Sequence, residues 1–147
     1  MNVCFAPCPV VFDLDGTLID SAPDIHASVN AVLRLNGTRL LTLDQVRGFV
    51  GGGVDLLWRR VIAATGLPIE SQRDLVASFM TRYHDATALT RLYPNVIEAL
   101  GVLADRGHPL GICTNKPLGP TRAVLAHFGI GQLFGTVIGG DSLPERK

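Results

Sequence analysis

Apolar positions along the chain fall into two patterns. Three short runs are close to continuous: one over 10–14 (VVFDL), one over 108–115 (HPLGICTN) and one over 135–141 (GTVIGGD). Runs this short, rich in Val and Ile and separated by helical stretches, predict parallel strands joined by crossovers. Elsewhere apolar residues recur three and four positions apart, the helical period. A helix over 21–36 puts Ile25, Val29, Val32 and Leu33 on one face, with Ser21 as N-cap, Pro23 in the first turn and Gly37 as the stop. Thr42 and Gln45 form a capping box that opens a second helix, running to Val50. Gly51-Gly52-Gly53 breaks the chain before a third helix carrying Leu56, Leu57, Val61 and Ile62. A fourth, over 69–87, spaces Leu75, Phe79 and Tyr83 by four. Residues 20–90 therefore read as helices only. Pro94 starts another helix, with Val96, Leu100 and Leu103 on one side and Gly107 as its end, and 118–128 gives the last. The order predicts an α/β fold with a helical insert after the first strand.

Composition narrows the function classes. A chain of 147 residues, 47% of them hydrophobic, can bury a core. Thirteen basic residues balance thirteen acidic ones, which leaves no electrostatic footprint for nucleic acid or an anionic membrane. No apolar run reaches the roughly 18 residues of a membrane span. The start, MNVCFAPCPVVF, lacks the basic region of a signal peptide, and its first eight residues read as a disordered lead-in. Cys4 and Cys8 lack a second pair for zinc, Cys113 reads as a small buried hydrophobe, and the expected compartment is the cytoplasm. His26, His84, His108 and His127 show no ligand spacing and read as surface or helix-end residues, and Trp58 reads as packing.

The chemistry gathers at the strand ends, where ligands bind in open α/β sheets. Asp13 and Asp15 follow the first strand, Thr114 and Asn115 the second, and Gly139-Gly140-Asp141 the third. Two carboxylates at i and i+2 of an extended backbone point the same way. They suit a hard divalent cation, or a nucleophile beside a proton shuttle. Gly16 allows a tight turn whose amides, with Thr114 and Asn115, offer donors to phosphate oxygens. An isolated Asp-Gly is an ordinary turn pair. The buried strand before it, and the matching Thr114-Asn115, favour chemistry.

The string DLDGT after an apolar strand resembles the first signature of the haloacid dehalogenase superfamily of phosphatases; ICTNK (112–116) resembles the second and ERK (145–147) the start of the third. FDLDGTLIDSAPDI, the helical insert and LYPNVIEAL are most similar to phosphoglycolate phosphatases. The resemblance implies a Rossmann-like parallel sheet core, residues 9–19 and 91–147, with an inserted all-helical cap, residues 20–90. It implies a Mg²⁺-dependent phosphomonoester hydrolase that forms an aspartyl-phosphate, with 2-phosphoglycolate the favoured small phosphorylated substrate. Asp13 is then the nucleophile, and Asp15 the group that protonates the leaving alcohol and activates water. The Asp13 carboxylate and the Asp15 carbonyl hold the metal, and Thr114 and Lys147 hold the phosphoryl group. Gly16, Thr17 and Asn115 join the substrate site. The cap segment RGFVGGGVDLL (47–57) resembles the part of such caps that reaches the active site. Gly51 and Gly53 would let amides approach a substrate carboxylate, or simply turn between helices. Arg47 is an anion contact or a solvated side chain, and Lys116 pairs with an acid near the site or faces water.

The family has a fourth motif beyond its lysine, with Gly-Asp and a further acid, and nothing of that kind follows Lys147. Asp141 precedes the lysine and reads as part of the loop leading to it. The expectation is a chain cut short, with the sheet incomplete at the C-terminus, a weakened metal site, a fraying Lys147 and self-association through the open sheet. A sugar-phosphate phosphatase or phosphomutase, and a non-catalytic fragment, are the alternative readings.

Overall fold

Parallel pairing brings the three apolar runs together in the computed structural model, which describes residues 6–145 and 147. Residues 1–5, most of the expected lead-in and Cys4 with it, and Arg146 of the ERK string lie outside the described residues. The elements are β1 (Val10–Phe12), β2 (Ile19–Asp20), α1 (Ala22–Leu35), α2 (Leu43–Arg47), α3 (Val54–Thr65), α4 (Gln72–Tyr83), β3 (Arg91–Leu92), α5 (Val96–Asp105), β4 (Leu110–Cys113), α6 (Leu118–His127) and β5 (Phe134–Ile138). Among the described residues a three-stranded sheet runs β1-β4-β5. Both of its pairings are parallel, with Phe12 beside Ile112 and Ile112 beside Val137. The strands are shorter than the apolar runs and stop together, leaving Asp13, Thr114 and Gly139 each one residue past a strand end.

Two hydrophobic clusters account for the rest. One gathers Leu14, Ile19, Val96, Leu100, Leu110, Ile112, Val124, Leu125 and Phe134 around the sheet. The other lies within the helical insert, where Val29, Val32, Leu33, Val46, Trp58, Val61 and Phe79 are fully buried. Trp58 meets Phe79 edge-on at 5.9 Å and Phe79 stacks on Tyr83 at 4.8 Å. Each large side chain so buried contributes about 1.5–3 kcal/mol.

The helices follow the pattern with instructive departures. The capping box forms: Gln45 N donates to Thr42 Oγ1 at 3.2 Å and Thr42 N to Gln45 Oε1 at 2.9 Å. Yet α2 ends at Arg47 rather than Val50, because Gly48 and the following triple glycine hold a helix weakly. The fourth helix is α4 preceded by a single 3-10 turn over 69–71, and it stops at Tyr83 rather than 87. It stops because the chain is drawn back to α1. Asp24 is buried there, and its Oδ2 accepts from Leu89 N (3.0 Å), Thr90 N (2.6 Å) and Thr90 Oγ1 (2.7 Å). The reading of 20–90 as helices only misses the antiparallel pair β2-β3, which joins Ile19 to Leu92 and Asp20 to Arg91 where the insert leaves and rejoins the sheet.

Three donors converge on one buried carboxylate oxygen, and hydrogen bonds to a charged group contribute about 1.5–3 kcal/mol each. Asp24→Ala is expected to lower unfolding free energy by about 3 kcal/mol or more. Thr90→Val, which loses one of the three, should cost less. Urea denaturation of both variants checks the order; equal losses would contradict it.

Candidate active site

The turn after β1 is built by its own backbone. Gly16 sits at φ 79°, open to glycine at no steric cost. Its N–H donates to Ile19 O at 2.9 Å, and the amides of Thr17 and Leu18 donate to Leu14 O at 3.1 and 3.0 Å. This tight return leaves Asp13 and Asp15 at the mouth of a pocket, with Thr114, Asn115, Lys116 and Pro117 from the β4 tip. The insert closes the other side with Ile25, Val50, Gly51, Gly53, Val54, Leu57, Phe79 and Tyr83. The cavity volume is about 40 Å³, room for a small group.

Each carboxylate is matched by one lysine. Asp13 Oδ2 lies 2.5 Å from Lys147 Nζ, a half-exposed pair, while Asp13 Oδ1 accepts from Leu14 N at 2.7 Å. Asp15 Oδ1 accepts from Ser21 Oγ at 2.5 Å and from Lys116 Nζ at 3.2 Å. Lys116 is the buried partner: its side chain is 2% exposed, against 12% for Asp15. Its ammonium also meets the hydroxyl of Tyr83 and lies 4.5 Å from the centre of that ring.

Burial is the strongest single influence on Lys116 and pulls its pKa down. Tyr83 and Asp15 together outweigh burial and leave the pKa above the ordinary lysine value. Burial also pushes the Tyr83 phenol up to about 12, against a lowering pull from Lys116. Tyr83 is therefore un-ionised at neutral pH, and Asp15 supplies the negative charge that keeps Lys116 protonated.

The loop after β5 braces the β4 tip from behind. Gly140 N donates to Lys116 O at 2.8 Å, and Leu118 N donates to Asp141 Oδ1 at 2.7 Å. A Cβ on Gly140 would collide with the carbonyl of Asn115. Asp141 is therefore a bracing residue for this loop.

The expected site residues divide accordingly. Asp13, Asp15, Thr114, Asn115, Gly51 and Gly53 meet at the pocket, and Lys147 reaches it through Asp13. Thr114 is buried, and its hydroxyl oxygen accepts from Lys116 N at 3.1 Å, leaving the hydroxyl proton free to donate. The Asn115 side chain is engaged within the protein. Its amide protons go to Gly51 O (3.1 Å) and Lys147 O (3.2 Å), so it ties the glycine loop to the strand tips. Gly16 and Thr17 do not line the pocket either, because their amides close the turn. Nor does Arg47. It pairs with Asp20 at 2.8 Å outside the pocket, and that hydrogen bond raises its pKa.

Two residues were missed as site residues. Ser21 carries an N-cap signature, but its side chain makes no cap bond and turns to Asp15 instead. Tyr83 follows the packing period of α4, and nothing in that period marks its hydroxyl.

A family model described as haloacid dehalogenase-like hydrolase matches residues 10–147. The chain belongs to the haloacid dehalogenase-like hydrolase family. Within it, the chain is 48% identical over 141 residues to a phosphoglycolate phosphatase of Cereibacter sphaeroides, an alignment covering 94% of this chain and 65% of that protein. It is 38% identical over 145 residues to phosphoglycolate phosphatase 1 of Pseudomonas aeruginosa, covering 96% of this chain and 53% of the relative. The crystal structure of a predicted phosphoglycolate phosphatase from Haemophilus somnus superposes with a TM-score of 0.89 at 33% identity, covering all of this chain and 68% of that one. This family member thus spans about 65% of the length of the Cereibacter relative. None of its helices among the described residues is long and apolar enough to cross a membrane.

Two outcomes follow from the geometry. The unfolded Tyr83 phenol ionises near 10.0 and the folded one near 12. Its contribution to stability is therefore complete below pH 10 and lost as the pH climbs toward about 12. Urea midpoints measured across that window should fall for the wild type and more shallowly for Tyr83→Phe; parallel curves would contradict the assignment. Gly140→Ala should cost about 1–3 kcal/mol through overpacking against backbone, and an unchanged melting temperature would count against the bracing role.

Proposed function

We propose that this chain carries the chemistry of a phosphomonoester hydrolase working through an aspartyl-phosphate, with 2-phosphoglycolate as the favoured substrate. The observation that carries the reading is the pair of carboxylates two residues apart at the β1 tip, facing buried Thr114 across one small pocket. The relatives named phosphoglycolate phosphatase support the substrate. In this reading residues 9–19 and 91–147 form the catalytic core and 20–90 the cap. The partner is a small molecule in a cytoplasmic setting, consistent with the balanced charge.

The roles follow from the contacts. A carboxylate oxygen of Asp13 attacks phosphorus, the bond to the leaving oxygen breaks, and the departing alcohol takes a proton from Asp15. Asp15 then accepts a proton from water, whose oxygen attacks the same phosphorus. The bond to Asp13 breaks, and inorganic phosphate leaves. Ser21 and Lys116 both bind Oδ1 of Asp15, so Oδ2 is the oxygen left to carry the proton. Lys147 and the Thr114 hydroxyl balance charge on the transferring group, and phosphoryl transfer depends chiefly on such positioning.

In this reading the Asp13 carboxylate and the main-chain carbonyl of Asp15 would hold the metal, both oxygen donors. No cluster of three His, Cys, Asp or Glu side chains suited to a metal occurs among the described residues. One carboxylate and one carbonyl are donors of the kind Mg²⁺ takes, with water completing its shell. Mg²⁺ held there would neutralise charge on the phosphoryl oxygens.

Phosphate release from 2-phosphoglycolate is the test, run with and without Mg²⁺ beside Asp13→Asn. Metal-dependent release that falls to background in the variant is expected. Release that survives Asp13→Asn would sink the reading, and preferential turnover of hexose phosphates would replace the substrate.

A further inference from the structure

Lys116 is the one cationic side chain among the residues that line the pocket. Its ammonium donates to Asp15 Oδ1 and meets the Tyr83 hydroxyl. An ammonium carries three N–H groups, and the third has no acceptor among the described residues. The wall contributed by the insert offers nothing to repel an anion: Ile25, Val50, Val54, Leu57 and Phe79 are apolar, and Gly51 and Gly53 bring only backbone. Arg47, the anion contact suggested by the cap segment, is engaged with Asp20 away from the pocket.

We infer that Lys116, held in place by Tyr83, is the specificity residue that recognises a carboxylate on the substrate, one carbon removed from the ester oxygen. The inference rests on the hydrolase reading for one point, that Asp15 attends the leaving oxygen. Lys116 lies one hydrogen bond beyond Asp15, at 3.2 Å. A carboxylate one carbon from that oxygen therefore falls within reach of the free N–H. A neutral ester leaves the N–H unanswered, and a site built to bond a charged group discriminates against ligands that lack it. A longer chain would carry its anion past Lys116 into the apolar wall. Burial strengthens the contact, since the Lys116 side chain is 2% exposed and water competes weakly there.

Titration calorimetry of the whole chain in chelator, where the esters survive, compares 2-phosphoglycolate with ethyl phosphate, which lacks the carboxylate. The wild type should bind 2-phosphoglycolate about 10-fold or more tightly. Lys116→Met should bring the ratio close to unity, and Lys116→Arg should restore part of it. Lys116→Gln, which keeps a donor for Asp15, serves if the Met variant does not fold. Equal binding by the wild type overturns the inference, as does a variant that weakens both ligands by the same factor, since that would confine Lys116 to orienting Asp15. Phosphate release is scored separately. A chain that binds selectively through Lys116 but hydrolyses neither ester refutes the hydrolase reading and keeps the carboxylate site. A chain that hydrolyses both alike refutes the carboxylate site alone.

Discussion

Lys116 carries its ammonium into the seam between the sheet and the helical insert, with Asp15 on one side and Tyr83 on the other. Much of the local structure serves that placement. A buried ammonium is tolerable only beside an opposite charge and hydrogen-bond acceptors. Asp15 supplies the charge from the β1 tip and Tyr83 the acceptor from α4, so two separate hydrophobic clusters are joined through one cation. The Asp13–Lys147 pair repeats the arrangement at the more exposed side of the pocket. Two carboxylates two residues apart repel each other, and each has its own lysine.

Around that cation the fold supplies rigidity. Parallel pairing ends all three strands at the same level, so the β1 and β4 tips share one crevice and the β5 tip stands behind them. The glycines after β5 let a second loop press against the β4 tip from behind. Asp24 ties the end of the insert back to its beginning, and β2-β3 closes the root. Asn115 links the glycine loop of the insert to the strand tips. The insert is therefore registered on the sheet by the β2-β3 root, by Asn115 on Gly51 O and by Lys116 on Tyr83, while its own stability comes from the cluster around Trp58 and Phe79.

The sheet and the main helices were legible in the sequence because each rests on a periodic signal long enough to read. The Thr42–Gln45 box was legible for a different reason: two residue types at a fixed spacing specify both of its bonds. The strands β2 and β3 left no such trace, since two residues cannot show alternation. Asp13, Asp15, Thr114 and Lys147 stood out through their motifs, and the structure brings them together at one pocket. Ser21 was misread because a serine before a helix suits a cap equally well, and only the proximity of Asp15 decides where its hydroxyl turns. Gly16 and Thr17 were placed at the substrate because tight turns often present free amides; here Ile19 O takes the Gly16 amide and Leu14 O the Thr17 amide. Tyr83 lay hidden in a packing stripe, because helical period tells which face a residue occupies and not which polar group waits there.

The central claim is that Asp13 is the atom donor to phosphorus and that the rest of the pocket exists to position that event. It is tested most directly by acid quench during turnover of 2-phosphoglycolate, followed by peptide mass spectrometry. A phosphoryl group on the peptide that spans β1, assigned to Asp13 and absent from Asp13→Asn, is the predicted result. Turnover with the phosphoryl group on a different residue would contradict the account.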